Sequence, residues 1–183
     1  SGLRGLISLD KKNKKGPINL NRPLLDQKKS DLIFLSNKIF EFYIKDPSNE
    51  KDKFLRIKIR KLITNLQKDG LDKNKLSMTI DNLKRSNNVI DFYVSENLKK
   101  NTFFSLKKDH LILNKKFFQQ PYEVVFRAFS DSIQFVGKKY YPARGKKLDR
   151  IISDIENDKV YKSTLGGCVI EKVNQTVIIS KEY

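Results

Sequence analysis

The sequence is organised around one stretch that joins a turn signal to an amphipathic helix; it starts at Asp46 and reads DPSNEKDKFLRIKIRKLITNL. Pro47 fixes its own φ and biases Asp46 away from the helical region. The short polar side chains of Ser48 and Asn49 can hydrogen-bond to nearby backbone amides, as they do in turns. The stretch therefore predicts a turn followed by a helix over about 51–66.

This predicted helix has two chemically different faces. Positions spaced i, i+4, i+7 and i+11 form an apolar face that we expect to be buried: Leu55, Ile59, Leu62 and Leu66. Positions spaced i, i+3 and i+7 form a basic face on the other side: Lys53, Arg56 and Arg60. Two guanidiniums one turn apart can hold phosphate oxygens in bidentate geometry. The alternative is the solvated basic face of an ordinary amphipathic helix.

The charge balance favours a polyanionic partner. The 183 residues include 38 Lys and Arg against 21 Asp and Glu, a formal net charge of +17. The surplus is densest in residues 1–68, which hold 17 basic and 7 acidic residues. Nucleic acid is the favoured partner and anionic membrane the competing one. No run reaches the roughly 20 apolar residues of a membrane span, and no signal peptide is present. An A/T-biased genome is an alternative source of the lysines.

Cysteine and histidine are too scarce for several kinds of site. The chain has one Cys, Cys168, and one His, His110, so an internal disulfide and a Cys/His zinc site are both excluded. His110 lies in DHLIL, a short apolar run typical of a strand, so we expect a structural histidine rather than the base of a hydrolase. We expect Cys168 to be a small core residue. No metal site is predicted, and a reducing cytoplasm fits this composition.

The first third of the chain is expected to alternate strand and helix. A short strand is predicted over 18–22, ending at Arg22, and a helix over about 28–43, capped by Asp26. Ligands bind at the carboxyl ends of strands in open α/β sheets, which makes Arg22 a candidate; a surface side chain at a turn is the alternative. A boundary is predicted near Gly70, which suits a helix end.

The remainder is expected to be mainly helical with two small hairpins. The predicted elements are a helix over about 73–98, strands over 102–106 and 110–113, helices over 122–136 and 147–157, and a terminal hairpin of 164–170 with 176–180. The basic loop GKKYYPARG carries Tyr140 and Tyr141, whose rings can stack on unpaired bases; packing against a core is the alternative. The segment Leu-Gly-Gly-Cys lacks the spacing of a P-loop.

The wording of the central stretch carries a family resemblance. DPSN, followed by Phe54, Arg56, Ile59 and Arg60, resembles the pattern Asp-Pro-Ser/Thr-Asn … Phe-x-Arg-Asn-x-Ile-Arg of the tRNA(Ile)-lysidine synthases. These are cytoplasmic enzymes related to the N-type ATP pyrophosphatases. The family usually has Asn where this chain has Ile57, which lies near the basic face on a helical wheel. One polar contact of the family's site is therefore expected to be missing or replaced.

Other pieces follow in the family's order: Gly-Leu-Arg-Gly-Leu around Arg4, Arg-Pro-Leu-Leu from Arg22, then Tyr-Pro-x-Arg and Thr-Leu-Gly-Gly-Cys. The resemblance implies an α/β remnant of a PP-loop (adenine nucleotide alpha hydrolase-like) domain over 1–68, as the C-terminal part of the catalytic domain. A mainly α domain with small β-hairpins (α+β), the C-terminal tRNA-binding domain, is implied over 69–183. The resemblance also implies a sequence that starts within a domain whose upstream half is absent.

The resemblance implies an ATP-dependent ligase that modifies the wobble cytidine of the CAU-anticodon tRNA(Ile). ATP adenylates the base, and free L-lysine then displaces AMP to form lysidine, which changes codon reading from AUG to AUA. The implied partners are tRNA(Ile) and L-lysine, with no membrane, and the implied cofactors are ATP and Mg²⁺. The sequence does not determine the oligomeric state, and a homodimer is one of the alternatives left open. The alternative is a basic RNA-binding module without catalysis.

The family's phosphate loop, Ser-Gly-Gly-x-Asp-Ser, and its acidic cluster, His-x-x-Asp-Asp, do not occur in this sequence. We therefore expect no catalytic residue in the chain and no ligase activity from the chain alone. It would supply the rear of the active site and hold the tRNA. The candidate residues for binding substrate or tRNA are Arg56, Arg60, Lys53, Asp46, Ser48, Asn49, Arg22 and Arg4, with Tyr140 and Tyr141 for stacking.

Overall fold

A computed structural model describes residues 2–7, 10–15, 18–45, 47, 55–105, 110–157, 159 and 162–182. The chain divides into two compact units, Ser1–Lys84 and Arg85–Tyr183, which we call unit 1 and unit 2. The sequence predicts a boundary near Gly70, between a catalytic and a tRNA-binding domain. The division into compact units does not test that assignment, which stays a prediction.

Unit 1 contains short helices and one small hairpin. Its described elements are α1 (Gly2–Leu6), β1 (Lys12–Lys15), β2 (Ile18–Asn21), α2 (Lys29–Phe40), α3 (Leu55–Lys68) and the beginning of α4 (Lys73–Asn101). The predicted strand over 18–22 is confirmed as a strand. It pairs antiparallel with β1, so that Lys12 lies opposite Asn21 and Lys15 opposite Ile18.

The helix ends in unit 1 follow local chemistry in one case and depart from it in another. At the start of α4, Asp72 Oδ1 accepts a hydrogen bond from the Asn74 amide at 2.7 Å, as a capping residue should. Gly70, just before it, has a φ of +100°, which glycine adopts without a steric penalty. The predicted cap of α2 is wrong, because Asp26 forms an ion pair with Lys11 and lies too early in the chain to cap a helix that begins at Lys29.

The apolar face predicted for α3 is exposed. Leu55 is 71% exposed, and Ile59, Leu62 and Leu66 are also exposed. Ile57, in contrast, is buried, with 6% of its surface exposed. Ile57 is the one buried apolar side chain among the described residues of unit 1. Periodicity identifies side chains that share a face, but burial requires an element packed over that face. The described part of unit 1 places none over this one, so the prediction of a buried stripe is wrong.

Unit 2 is an antiparallel sheet with helices packed on it. After the end of α4 come β3 (Thr102–Ser105), β4 (His110–Leu113), a 3-10 helix (Lys115–Gln119), α5 (Tyr122–Gly137), α6 (Gly145–Glu156), β5 (Lys162–Leu165), β6 (Cys168–Val173) and β7 (Thr176–Lys181). The five strands form one sheet in the order β3-β4-β7-β6-β5. The predicted helices and both predicted strand regions are therefore present.

Both predicted small hairpins are present, β3 with β4 and β6 with β7, but they belong to one five-stranded sheet. The predicted strand 164–170 is broken by a turn at Gly166 and Gly167, which have φ values of +66° and +78°, as a two-residue type I′ hairpin turn requires. β4 also pairs with β7, with His110 opposite Ser180. This pairing joins segments distant in sequence, and no local pattern specifies it. Unit 2 is therefore an α+β unit with a single sheet.

The core of unit 2 lies between α5, α6 and one face of the sheet. Alternate residues of three strands point into it, as the two-residue period of a strand dictates: Leu111 and Leu113, Cys168 and Ile170, Val177 and Ile179. The helices contribute Val125, Phe129, Ile133, Leu148 and Ile152. Full burial of one such large side chain stabilises a fold by roughly 1.5–3 kcal/mol.

One buried cation joins α4 to α5 within unit 2. Arg127 is 4% exposed and donates to Glu123 Oε1 at 2.7 Å, to Asn87 Oδ1 at 2.7 Å and to Asp91 Oδ1 at 3.1 Å. Asn87 in turn donates to Asp91 Oδ2 at 2.6 Å. A buried charge is tolerated only when it is paired and hydrogen-bonded. Asn87, which interrupts the apolar pattern of α4, thus serves this network.

The end of α5 passes very close to the β5–β6 turn. A Cβ added to Gly137 would lie 2.3 Å from the carbonyl oxygen of Gly166 and 3.1 Å from Cys168 Sγ. A Cβ on Gly166 would itself lie 2.8 Å from Ile133 Cγ2. The segment Leu-Gly-Gly-Cys is therefore a turn that packs against the end of α5, and this close packing requires glycine at positions 137 and 166.

We predict that Gly137→Ala destabilises the chain by about 1–3 kcal/mol, because the methyl group must displace the turn backbone. The matched control is Gly145→Ala at the start of α6, where the nearest atom to the new Cβ is Phe126 Cζ at an ordinary 3.7 Å. This control should be neutral or slightly stabilising, since alanine favours a helix. Urea denaturation measures both; equal unfolding free energies for the two variants would contradict the close approach.

Candidate nucleic-acid interface

The most basic helix of unit 1 carries an open groove. α3 reads LRIKIRKLITNLQK, with five cationic side chains and no acidic one. The groove has a volume of about 400 Å³ and is lined by Ile57, Arg60, Lys61, Thr64 and Asn65. Its lining combines cations with short polar side chains, a set that can hold an anion.

Ile57 and Arg60 line this groove together, so the placement of Ile57 beside the basic face on the helical wheel is confirmed. Arg60 is exposed, and its backbone carbonyl accepts a hydrogen bond from Thr64 Oγ1 at 3.0 Å. Ile57 is the buried member of the lining. The residue beside this guanidinium is thus a buried apolar one, where the resembling family has a polar amide.

Several predicted site residues lie outside the described part of the chain. Asp46, Ser48, Asn49 and Lys53 are among them. Arg56 lies in α3, one position from Ile57, but its side chain is not among those described. The roles predicted for these five residues stay predictions.

Arg22 and Arg4 lie on other elements of unit 1. Arg22 follows β2; its amide donates to the Lys11 carbonyl at 2.7 Å and its Nη1 donates to the Asp10 carbonyl at 3.1 Å. These bonds close the open end of the β1–β2 hairpin, which gives Arg22 a structural task. Arg4 lies exposed in α1. Arg4, Arg22 and Arg60 therefore occupy three separate elements.

The two candidate stacking residues are on the surface of unit 2. Tyr140 and Tyr141 are 64% and 77% exposed, and their rings meet edge to face with centroids 4.8 Å apart. Gln134 Nε2 donates to the Tyr140 carbonyl at 2.9 Å and so ties the loop to α5. Ala143 packs against the core, while the rings do not. Exposed aromatic rings beside cations are suited to stacking on unpaired bases.

Unit 2 has a basic cleft that was not predicted from the sequence. It lies between α6 and β5, has a volume of about 280 Å³, and is lined by Lys147, Arg150, Ile151, Asp154, Lys162, Ser163 and Thr164. The i, i+3 spacing of Lys147 and Arg150 on a predicted helix was an available signal for one wall. The approach of Lys162 to that helix depends on tertiary packing and was not.

The groups that carry most hydrolytic chemistry are structural in this chain. His110 lies half-buried in β4, and Cys168 is fully buried, with its Sγ donating to the Ile133 carbonyl at 3.3 Å. Burial, with a smaller contribution from Glu182 and against an opposing one from Lys139, raises the pKa of the Cys168 thiol to about 11. The thiol is therefore protonated at neutral pH, and the prediction of a core cysteine is confirmed.

We predict that Cys168 resists alkylation by iodoacetamide in the folded chain and reacts after denaturation. Its pKa is higher folded than unfolded, so its contribution to stability is complete below the unfolded pKa, and it is lost as the pH rises toward about 11. The Cys168→Ala variant should lack this part of the pH dependence. The unfolding free energies of the wild type and this variant would be measured between pH 8 and 11. The same change of this free energy with pH in both proteins would contradict the prediction.

The structure offers no carboxylate cluster for a metal in the part of the chain that it describes. No group of three or more His, Cys, Asp or Glu side chains that could hold a metal ion occurs there.

No helix among the described residues is both long and apolar enough to cross a membrane.

Residues 1–67 match the family model of the PP-loop domain. Over 185 aligned residues the chain is 28% identical to the tRNA(Ile)-lysidine synthase of Wolbachia pipientis wMel, covering 100% of this chain and 42% of the relative. The chain is homologous to the tRNA(Ile)-lysidine synthases. The resemblance stated from DPSN and the basic helix is thereby confirmed.

Two further tRNA(Ile)-lysidine synthases give the same result. The protein of Ruegeria pomeroyi is 25% identical over 190 residues, covering 100% of this chain and 43% of the relative. That of Orientia tsutsugamushi is 29% identical over 182 residues, covering 91% of this chain and 39% of the relative. The chain thus spans about two fifths of the length of these relatives.

Proposed function

We propose that this chain is part of a tRNA(Ile)-lysidine synthase, the cytoplasmic ligase that attaches lysine to the wobble cytidine of the CAU-anticodon tRNA(Ile) at the expense of ATP. The observation that carries the proposal is similarity to enzymes of that name along the whole chain, beyond the 67 residues that match the PP-loop domain. The net charge of +17 suits a polyanionic substrate.

The two parts of the chain have different tasks in this proposal. Residues 1–68 are the C-terminal part of the catalytic domain, in keeping with a PP-loop match that ends at residue 67. Residues 69–183 hold the tRNA. ATP use is a property of the PP-loop domain family, and ATP and Mg²⁺ are bound in the whole enzyme by parts other than this chain. L-lysine is the second substrate.

The α3 groove is the proposed contact with tRNA near the target base. Arg60, and Arg56 one turn before it, bind phosphate oxygens, since guanidiniums match them in bidentate geometry. Ile57 occupies the position of the family's amide and offers no polar contact there. Lys53 adds a further cation, and the turn predicted from the sequence for Asp46, Ser48 and Asn49 would set the entry to the helix. Arg4 and Arg22 are the further candidates of residues 1–68 for contacts with the substrate or the tRNA.

The activity can be tested by joining this chain to the part of the Wolbachia pipientis enzyme that lies outside the matched region. The fusion should incorporate labelled lysine into the CAU-anticodon tRNA(Ile) only when ATP is present. A tRNA with uridine at the wobble position is the control, because it lacks the reacting cytidine. A fusion that retains tRNA yet incorporates no lysine, while the intact Wolbachia enzyme does, would contradict the proposal and favour a non-catalytic RNA-binding module.

We predict that Arg56→Ala and Arg60→Ala each weaken tRNA binding and lower the slope of log affinity against log salt by about one, since each removes one phosphate contact. Lys68→Ala is the matched control, because it removes one charge from the last turn of the same helix. Filter retention over a salt series measures all three variants. An unchanged slope for either arginine variant removes that arginine from the interface.

A further inference from the structure

The cleft between α6 and β5 in unit 2 has the features of a phosphate-binding site. We infer that this cleft binds the phosphodiester backbone of RNA, as a second anion site on an element other than the α3 groove. The inference rests on the proposed function for the identity of the RNA as a tRNA. Its three cations are Lys147, Arg150 and Lys162.

The core of unit 2 fixes the α6 wall of the cleft. Leu148, Ile151, Ile152 and Ile155 are buried, and this anchors one side of the helix in the core. Lys147 and Arg150 lie one turn apart on the side that lines the cleft. Side chains of this spacing can reach neighbouring phosphate oxygens. Because the helix is held by its buried face, the two cations are presented without an ordering cost for the backbone.

The carboxylate that lines the cleft, Asp154, lies near two cations. Asp154 Oδ1 lies 3.4 Å from Lys159 Nζ, and Asp154 Oδ2 lies 3.9 Å from Arg150 Nε. The Arg150 side chain remains 85% exposed, and a contact of 3.9 Å is long for a hydrogen bond. Arg150 therefore stays accessible to a stronger anionic partner.

β5 supplies the other wall with backbone and hydroxyl donors. It is the edge strand of the sheet, and Leu165 pairs with Cys168 next to the two-residue turn. Hydrogen-bonded and non-hydrogen-bonded pairs alternate along such a hairpin, so the amides of Thr164 and Lys162 point to the open edge. Ser163 and Thr164 both line the cleft. Backbone amides and hydroxyls are common partners of nucleic-acid phosphates.

The tyrosine loop adjoins the β5–β6 turn, which follows the strand that forms one wall of the cleft. A Cβ on Gly166 would lie 3.9 Å from Ala143 Cβ, and a Cβ on Gly167 would lie 3.0 Å from Lys139 Cε. The loop that carries Tyr140 and Tyr141 therefore adjoins the turn that begins at the end of β5. RNA-binding proteins combine phosphate contacts with base stacking on aromatic rings, and the cleft and the neighbouring tyrosine loop offer one of each.

An anionic lipid surface fits the cleft less well. Membrane-surface binding needs apolar side chains that can enter the acyl boundary. The apolar residue that lines the cleft, Ile151, is 4% exposed and belongs to the core. The cleft therefore offers cations and hydrogen-bond donors but no accessible apolar side chain, which favours RNA.

The test compares two double variants of the full chain that lose the same charge. Lys147→Ala/Arg150→Ala removes two cations from the cleft, and Lys115→Ala/Lys116→Ala removes two exposed cations from the 3-10 helix. Filter retention of unmodified tRNA(Ile) over a salt series gives the slope of log affinity against log salt. We expect the cleft variant to lose about 1.4–1.8 units of slope, at roughly 0.7–0.9 per phosphate contact, and the control to lose none.

A single variant on the opposite wall, Lys162→Ala, should lose about one unit and guards against misfolding of α6. Equal slope losses in the two double variants would overturn the cleft and leave the proposed function standing. A wild-type chain that retains no tRNA would overturn both. Retention on phosphatidylglycerol vesicles that falls in the cleft variant, with tRNA retention unaffected, would assign the cleft to a membrane surface and overturn the inference.

Discussion

The packing of α5 against the five-stranded sheet is the interaction on which the described structure of unit 2 depends. α5 contributes Val125, Phe129 and Ile133 to a core that receives alternate residues of three strands. The helix can approach the sheet closely because Gly137 has no side chain where it meets the carbonyl of Gly166. The same turn carries the chain from β5 into β6. One close contact therefore fixes both the end of a helix and the edge of the sheet.

The charged surface of unit 2 is a consequence of that core. The buried side of α6 determines which of its residues reach solvent. Lys147 and Arg150 lie on the remaining surface of the helix, where they line the cleft together with the edge strand β5. The buried network around Arg127 shows the contrast between two kinds of cation. Arg127 donates to three acceptors inside the unit, whereas among the described residues Arg150 makes one long contact, to Asp154. Burial and pairing, rather than charge alone, separate structural cations from those available to a ligand.

Sequence reasoning predicted elements well wherever local chemistry decides them. The helices expected over about 73–98 and 122–136 are found at Lys73–Asn101 and Tyr122–Gly137. It failed where a partner element decides. The stripe led by Leu55 shares a face but has no described cover, and β4 finds β7 across a long separation in sequence. The same limit applies to the sites: the α3 cations follow from one helix, but the α6–β5 cleft requires two.

The most direct test of the claim that this chain carries tRNA recognition is a comparison of two RNAs. Filter retention over a range of salt would measure binding of the chain to unmodified CAU-anticodon tRNA(Ile) and to an unrelated tRNA. The account predicts tighter binding of the isoleucine tRNA at every salt concentration. Equal affinities with the same steep salt dependence would contradict it, because binding would then depend on the net charge of +17 alone.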